Sequence, residues 1–185
     1  MFPEALTNVL SRLETARTHG LVQAYALIGG FAVSAWGVPR ATQDIDFAVA
    51  IGSANPHELA TFLGGRFEEG ERDDPLRGVV HASLQVGSVP VSLQLIFFPS
   101  SLTEITFRHV ETLSVMGRIV PVVSWQMLVL LKLYAGGPQD TIDARQILQI
   151  RHPQSDDLQV ISKLAESLGI LEDWTVLLNL YQGED

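Results

Sequence analysis

Apolar residues first recur at helical spacing: Leu6, Val9, Leu10 and Leu13 share one face, which predicts an amphipathic helix over residues 3–19 ended by Gly20. The pattern then shortens. Ala24 to Ile28 is an apolar run of strand length, broken by Gly29-Gly30, and Phe31 to Trp36 predicts a short helix closed by Gly37 and Pro39. From Gln43 to Ala50 the residues alternate as in a strand, with Ile45, Phe47 and Val49 on one face and Asp44 and Asp46 on the other. Pro56 to Leu63 predicts a helix stopped by Gly64-Gly65. Val79 to Val86 and Val89 to Phe97 are the clearest strands, joined by Gly87-Ser88, a pair suited to a two-residue type II′ hairpin turn. His81, Ser83 and Gln85 form the polar face of the first, and Pro90, Ser92 and Gln94 that of the second. A further strand pair is predicted at Glu111 to Val115 and Arg118 to Val122.

From Ser124 the period becomes helical. Ser124 caps a helix from Trp125 to Ala135 that Gly136-Gly137 ends, and Pro138-Gln139-Asp140 opens another running to about Gln149. Two more are predicted near 156–168 and 171–181, split by Gly169. Strands fill the first two thirds and helices the last, which predicts an α+β fold: a small mixed β-sheet flanked by helices over residues 1–122, and a C-terminal helical region over 123–185 packed on it.

Composition narrows the chemistry. With 185 residues, 46% of them hydrophobic and 18% charged, the chain can bury a sizeable core. The absence of cysteine excludes disulfides and thiolate metal sites. The N-terminus lacks the basic start and apolar run of a signal peptide, and the apolar stretches near 127–135 and 89–98 are too short for a bilayer. A cytoplasmic protein with no membrane partner is expected. A net charge of −9 argues against broad binding to a nucleic-acid backbone, but not against a polyanionic substrate that brings its own Mg²⁺. Acids cluster at Glu68, Glu69, Glu71, Asp73 and Asp74, in 156–173 and at the C-terminal tip, as solvated runs usually do.

The residues with most chemistry are Asp44 and Asp46. Two carboxylates at i and i+2 on a strand point the same way and repel unless a cation lies between them. Mg²⁺ suits such a pair, because it takes hard oxygen ligands and keeps positions open for phosphate oxygens. Gly29-Gly30 permits close backbone approach, and successive N–H groups at a helix start can hold an anion. Read with Arg40, Thr42, Asp44 and Asp46, the pair forms a phosphate-handling layout.

The segment Ala26 to Val49, ALIGGFAVSAWGVPRATQDIDFAV, resembles the nucleotidyltransferase superfamily that includes DNA polymerase beta. More narrowly, G-G…R-x-T-x-D-I-D resembles the AbiEii-type toxins and related bacterial nucleotidyltransferases. A second block, Ser124 to Leu148, is similar to that group's helix-borne lysine with a downstream aspartate, matched by Lys132, Asp140 and Asp143. The resemblance covers roughly residues 24–149 and implies a nucleotidyltransferase fold, one or two Mg²⁺ ions on Asp44 and Asp46, and an NTP substrate. It implies that Gly29 and Gly30 hold the β- and γ-phosphates, that Arg40 and Thr42 belong to the nucleotide site, and that Lys132 and Asp140 join the catalytic set. Without the resemblance, Lys132 reads equally well as a lysine whose stem lies along an apolar helix, and Asp140 as a first-turn acid. The toxin likeness implies an RNA, tRNA or protein acceptor and a cognate antitoxin partner. The layout is also that of aminoglycoside and lincosamide nucleotidyltransferases, which implies a small-molecule acceptor instead.

One departure stands out. The superfamily places a third metal-binding carboxylate on a later strand, where this chain offers Ser92 and Gln94. Neither is a general base, and neutral oxygens bind Mg²⁺ weakly. Three alternatives follow: Asp140 supplies the acid, the second metal site is weakened, or the protein keeps the fold and binds nucleotide or a protein partner without catalysis. The five histidines lack H-x-x-x-H or H-E-x-x-H spacing, and there is neither a G-x-S-x-G elbow nor a G-x-x-x-x-G-K-[ST] loop.

Overall fold

The alternating segments form strands as expected, and two elements are added to them, one strand and one helix. The computed structural model describes residues 2–71 and 75–183. Asp73 and Asp74 of the acidic cluster, and Glu184 and Asp185 of the C-terminal tip, lie outside the described residues. The elements are α1 (Phe2–Thr18), β1 (Ala24–Leu27), α2 (Gly29–Ala35), β2 (Asp44–Ala50), α3 (Pro56–Leu63), β3 (Arg66–Glu69), β4 (Gly78–Val86), β5 (Val89–Phe97), α4 (Ser100–Arg108), β6 (Val110–Val115) and β7 (Arg118–Val123). Four helices follow: α5 (Trp125–Ala135), α6 (Pro138–Arg151), α7 (Ser155–Leu168) and α8 (Leu171–Gln182). The chain forms two compact units. One comprises Met1–Ala32 and Arg40–Val123, the other Val33–Pro39 and Ser124–Asp185.

The first unit holds a seven-stranded mixed sheet in the order β3-β4-β5-β2-β1-β7-β6. β2 runs parallel to β5 and β1 parallel to β7, while the other neighbours are antiparallel. One face is apolar and buried: Ile45 and Phe47 of β2 stand beside Leu93 and Leu95 of β5, which pair in turn with Ala82 and Val80 of β4, while Val49, Val91 and Leu84 extend the same face. α1 and α3 pack on β4, and α1 also on β5. Their buried residues Leu6, Val9 and Leu13, and Leu59, Ala60 and Leu63, recur at helical spacing and complete this core.

β3 and α4 escape the sequence pattern for physical reasons. β3 is four residues with three charges, so it shows no alternation, and Phe67 alone anchors it. That ring meets Phe97 edge-on at 5.6 Å and His57 at 5.1 Å. A short, charged strand suits the edge of a sheet, where it deters pairing with other chains. α4 has only Leu102 and Thr106 buried, too few to mark a helix by periodicity. The glycine pair also differs from expectation: Gly29 and Gly30 do not break the chain ahead of α2 but form its first turn.

In the second unit α5 is buried on most sides, with Trp125, Met127, Leu128, Val129, Leu130 and Leu131 all shielded. α6, α7 and α8 pack around it through Ile147, Leu148, Ile161 and Leu177. Trp174 is fully buried and donates its indole N–H to Ser162 Oγ at 2.8 Å, and Arg151 lies over the rings of Trp36 and Trp125. The three tryptophans are thus core anchors. Ser124 caps α5 as expected, its Oγ accepting the Met127 N–H at 3.3 Å. Ser124→Ala is expected to cost about 1 kcal/mol, read as a fall of roughly 2–4 °C in the thermal midpoint. Among the described residues no helix is long and apolar enough to cross a membrane.

Candidate functional site

The polar face of the sheet gathers the residues singled out above. Register places Asp44 beside Ser92 and Asp46 beside Gln94, and the β4–β5 pairing continues these rows to Ser83 and His81. Arg66 of β3 extends the second row. All six β2, β4 and β5 side chains point away from the buried face, because strand residues alternate and rows across a sheet share a side. Asp44 and Asp46 are half-buried, neither lost in the core nor fully solvated.

The start of α2 closes on this carboxylate pair. Ile28 donates its N–H to the Asp46 carbonyl at 2.9 Å, which brings Gly29 over the strand. Gly29 sits at φ 64, in the left-handed region. A β-carbon there would lie 2.0 Å from Asp46 Oδ2, and one on Gly30 would lie 2.8 Å from Thr42 Cβ. Both glycines are therefore required by close approach, one to a carboxylate and one to a hydroxyl residue. Thr42 Oγ1 donates to the Asp44 carbonyl at 3.3 Å, so it helps set the entry of β2. Arg40 turns its guanidinium onto the neighbouring Ala41 carbonyl. Gly29→Ala is expected to destabilise by at least about 1–2 kcal/mol through left-handed strain alone, with the displacement of Asp46 added to it. Thermal unfolding measures the loss.

Two carboxylates side by side fit a hard divalent cation, while the helix start beside them suits an anion. Among the described residues no group of three His, Cys, Asp or Glu side chains converges as a metal site. A pair is nevertheless enough for Mg²⁺, which commonly takes one or two protein carboxylates and fills its shell with water and substrate phosphate. The donors are all oxygen, as that ion prefers.

Lys132 and Asp140 meet in the second unit. Lys132 Nζ lies 2.8 Å from Asp140 Oδ1 and 2.9 Å from Asp143 Oδ2, and Asp143 is fully buried. Asp140 Oδ2 accepts the Gly137 N–H at 3.3 Å, and Asp143 Oδ1 accepts from Gln139 Nε2 at 2.9 Å. The ammonium thus fastens the last turn of α5 to the first turns of α6. Burial, the largest single influence, lowers the Lys132 pKa, but the hydrogen bonds and charges of Asp140 and Asp143 together outweigh it and hold the group above its ordinary value. Any phosphate contact by Lys132 has to compete with two carboxylates already in place.

Sequence reasoning passed over His81. It appeared only as one residue of a polar strand face and one of five histidines without metal spacing. Its place in the row with Gln94 and Asp46 depends on which strands are neighbours, and β4 and β2 are separated by 27 residues of chain and joined through β5.

No protein-family model matches the chain, and no curated protein matches it. Solved structures do. The chain is similar to the antibiotic-resistance factor ANT(2'')-Ia, with a TM-score of 0.55 and 16% identity over the whole of both chains. It is similar to an antigenic nucleotidyltransferase-like protein from Paracoccidioides brasiliensis, with a TM-score of 0.52 and 19% identity over 93% of this chain and 91% of that one. A candidate nucleotidyltransferase from Thermotoga maritima gives a TM-score of 0.51 and 14% identity over 80% of this chain and 92% of that one. The chain has the nucleotidyltransferase fold, with a helical region after the sheet.

Proposed function

We propose that this protein is a Mg²⁺-dependent nucleotidyltransferase that moves an NMP group from an NTP to a hydroxyl of a small-molecule acceptor. The observation that carries this reading is the pairing of Asp44 and Asp46 with the Gly29-Gly30 turn on the open polar face of a nucleotidyltransferase fold. Asp44 and Asp46 are the residues that would hold Mg²⁺, which when bound neutralises triphosphate charge and polarises the α-phosphate. Gly29 and Gly30 offer the first-turn N–H groups of α2, which have no partner within the helix, to phosphate oxygens. Thr42 keeps the start of β2 in register with them, and Arg40 stands at the same entry as a candidate for a terminal phosphate or the base. A role for Lys132 and Asp140 in the catalytic set belongs to the same reading, although their mutual ion pair already gives them a structural task.

The choice of acceptor rests on charge. A net charge of −9 repels an RNA strand, whose affinity comes largely from phosphate contacts. An uncharged or cationic small molecule meets no such penalty. The structural likeness to an antibiotic-resistance factor points the same way. The toxin reading, with an RNA or protein acceptor and a cognate antitoxin, has the narrower sequence resemblance in its favour but not the charge. A second reading has one specific observation behind it. Ser92 and Gln94 occupy the strand positions beside Asp44 and Asp46, where a third acid would complete the site, so a nucleotide-binding protein without catalysis is the alternative.

Incubation with Mg²⁺ and each α-labelled NTP, against kanamycin, lincomycin and bulk tRNA as acceptor probes, separates these readings. Label on either drug is the expected result. Label on tRNA alone overturns the choice of acceptor, and Mg²⁺-dependent NTP binding without transfer to any acceptor or to water overturns the enzyme reading.

A further inference from the structure

We infer that His81 is the proton acceptor for the attacking hydroxyl, in place of the carboxylate that β5 lacks; this rests on the transfer reading above. Three observations on the first unit carry it. The row Asp46, Gln94, His81 crosses three adjacent strands with every side chain on the polar face. Two strand spacings put Asp46 and His81 about 10 Å apart at the backbone, which leaves room over Gln94 for an acceptor group between them. Gln94 offers an amide that can orient a hydroxyl but cannot take its proton.

His81 is also equipped for the role. Its side chain is 36% exposed, open enough to meet a substrate, and Glu68 Oε2 lies 3.6 Å from its Nε2. That separation is too long for a hydrogen bond but sets an acid at the edge of the ring. Arg66 Nη2 lies 3.5 Å from the same Glu68 oxygen and stands opposite His81 in the β3–β4 register, so it shares the carboxylate. Among the described residues the neighbours on the same face carry no charge: Gln94 from β5, and Val79 and Ser83 within β4. An imidazole with an acid beside it is the usual arrangement of a base that must work near neutral pH.

The step balances as follows. The acceptor O–H gives its proton to a neutral His81 nitrogen, and the freed oxygen pair forms the new O–P bond to the α-phosphorus. The P–O bond bridging the α- and β-phosphates breaks, and its electron pair leaves with pyrophosphate. His81 then releases the proton to solvent across its exposed edge.

The test uses pyrophosphate release from ATP and Mg²⁺, with water and then glycerol as the acceptor probe, over a pH range spanning imidazole titration. Wild type is expected to release pyrophosphate on a limb that rises with pH. His81→Gln is expected to bind ATP as wild type does, to lose roughly a hundredfold or more in rate, and to lose that limb. His81→Asn, with the thermal midpoint and ATP binding of both variants, controls for folding. Release that survives in H81Q and H81N with its limb intact overturns the role of His81 alone. No release by wild type with either probe, together with no label on any of the acceptors above, overturns the transfer reading and this role together.

Discussion

Asp44→Asn and Asp46→Asn are each expected to lower Mg²⁺-dependent nucleotidyl transfer by at least about a hundredfold, the scale seen when one preorganised electrostatic group at a reacting phosphate or carbonyl is removed. The substitution keeps shape and hydrogen-bonding size but removes the charge that holds a hard cation. Both side chains are half-buried on the polar face, while their neighbours Ile45 and Phe47 anchor β2 from the buried side. The fold should therefore survive: removing one of two adjacent like charges relieves repulsion, and the thermal midpoint without Mg²⁺ should stay level or rise slightly. The informative measurement is the midpoint with and without Mg²⁺ and ATP. Wild type should gain stability when both are present, since a ligand bound to the folded state stabilises it by mass action. A gain that persists undiminished in both variants would show that nucleotide binds elsewhere.

The largest effect on stability is expected at Lys132. Replacing it with methionine keeps the apolar stem but leaves Asp143, fully buried, and Asp140 without the ammonium that lies 2.9 and 2.8 Å from them. Removing one member of a buried ion cluster commonly costs about 3–5 kcal/mol, because an uncompensated charge remains in low dielectric. For a chain of this size that is roughly 10 °C in midpoint. Lys132→Met with Asp143→Asn should recover part of the loss, since the orphaned charge goes too. Alkaline titration gives the sign. Lys132 is held above its ordinary value of 10.5, so its contribution is complete below that pH and is lost as pH rises through the higher folded value. Wild type should thus lose the difference from Lys132→Met only in strongly alkaline solution. Equal stability of the two proteins at neutral pH would sink the structural role of the triad and free Lys132 for phosphate.

Most of the framework was readable from the chain. β4 alternates throughout, β5 from Val91 and β2 as far as Phe47, because one face of each is buried, and such a pattern survives in the order of residues. Helices bounded by Ser124, Gly64 and Gly136 announce their ends through capping chemistry that acts within a few residues. β3 and α4 were not readable, because each buries too few residues to leave a period. Gly29-Gly30 was seen as a break when it is a helix start, since glycine signals both and only the neighbour that it approaches tells them apart.

The site divides in the same way. Asp44 and Asp46 share a face by virtue of two-residue spacing, a property of the strand alone, and Gly29, Gly30, Arg40 and Thr42 lie close enough along the chain to be read with them. That Gly29 must be glycine because Asp46 Oδ2 would collide with a side chain, that Gln94 and His81 continue the row from Asp46, and that Lys132 is claimed by two acids are matters of tertiary structure. Local periodicity decides which way a side chain points. Which other side chains it meets depends on strand order and helix packing, and those are set by the burial of the whole core.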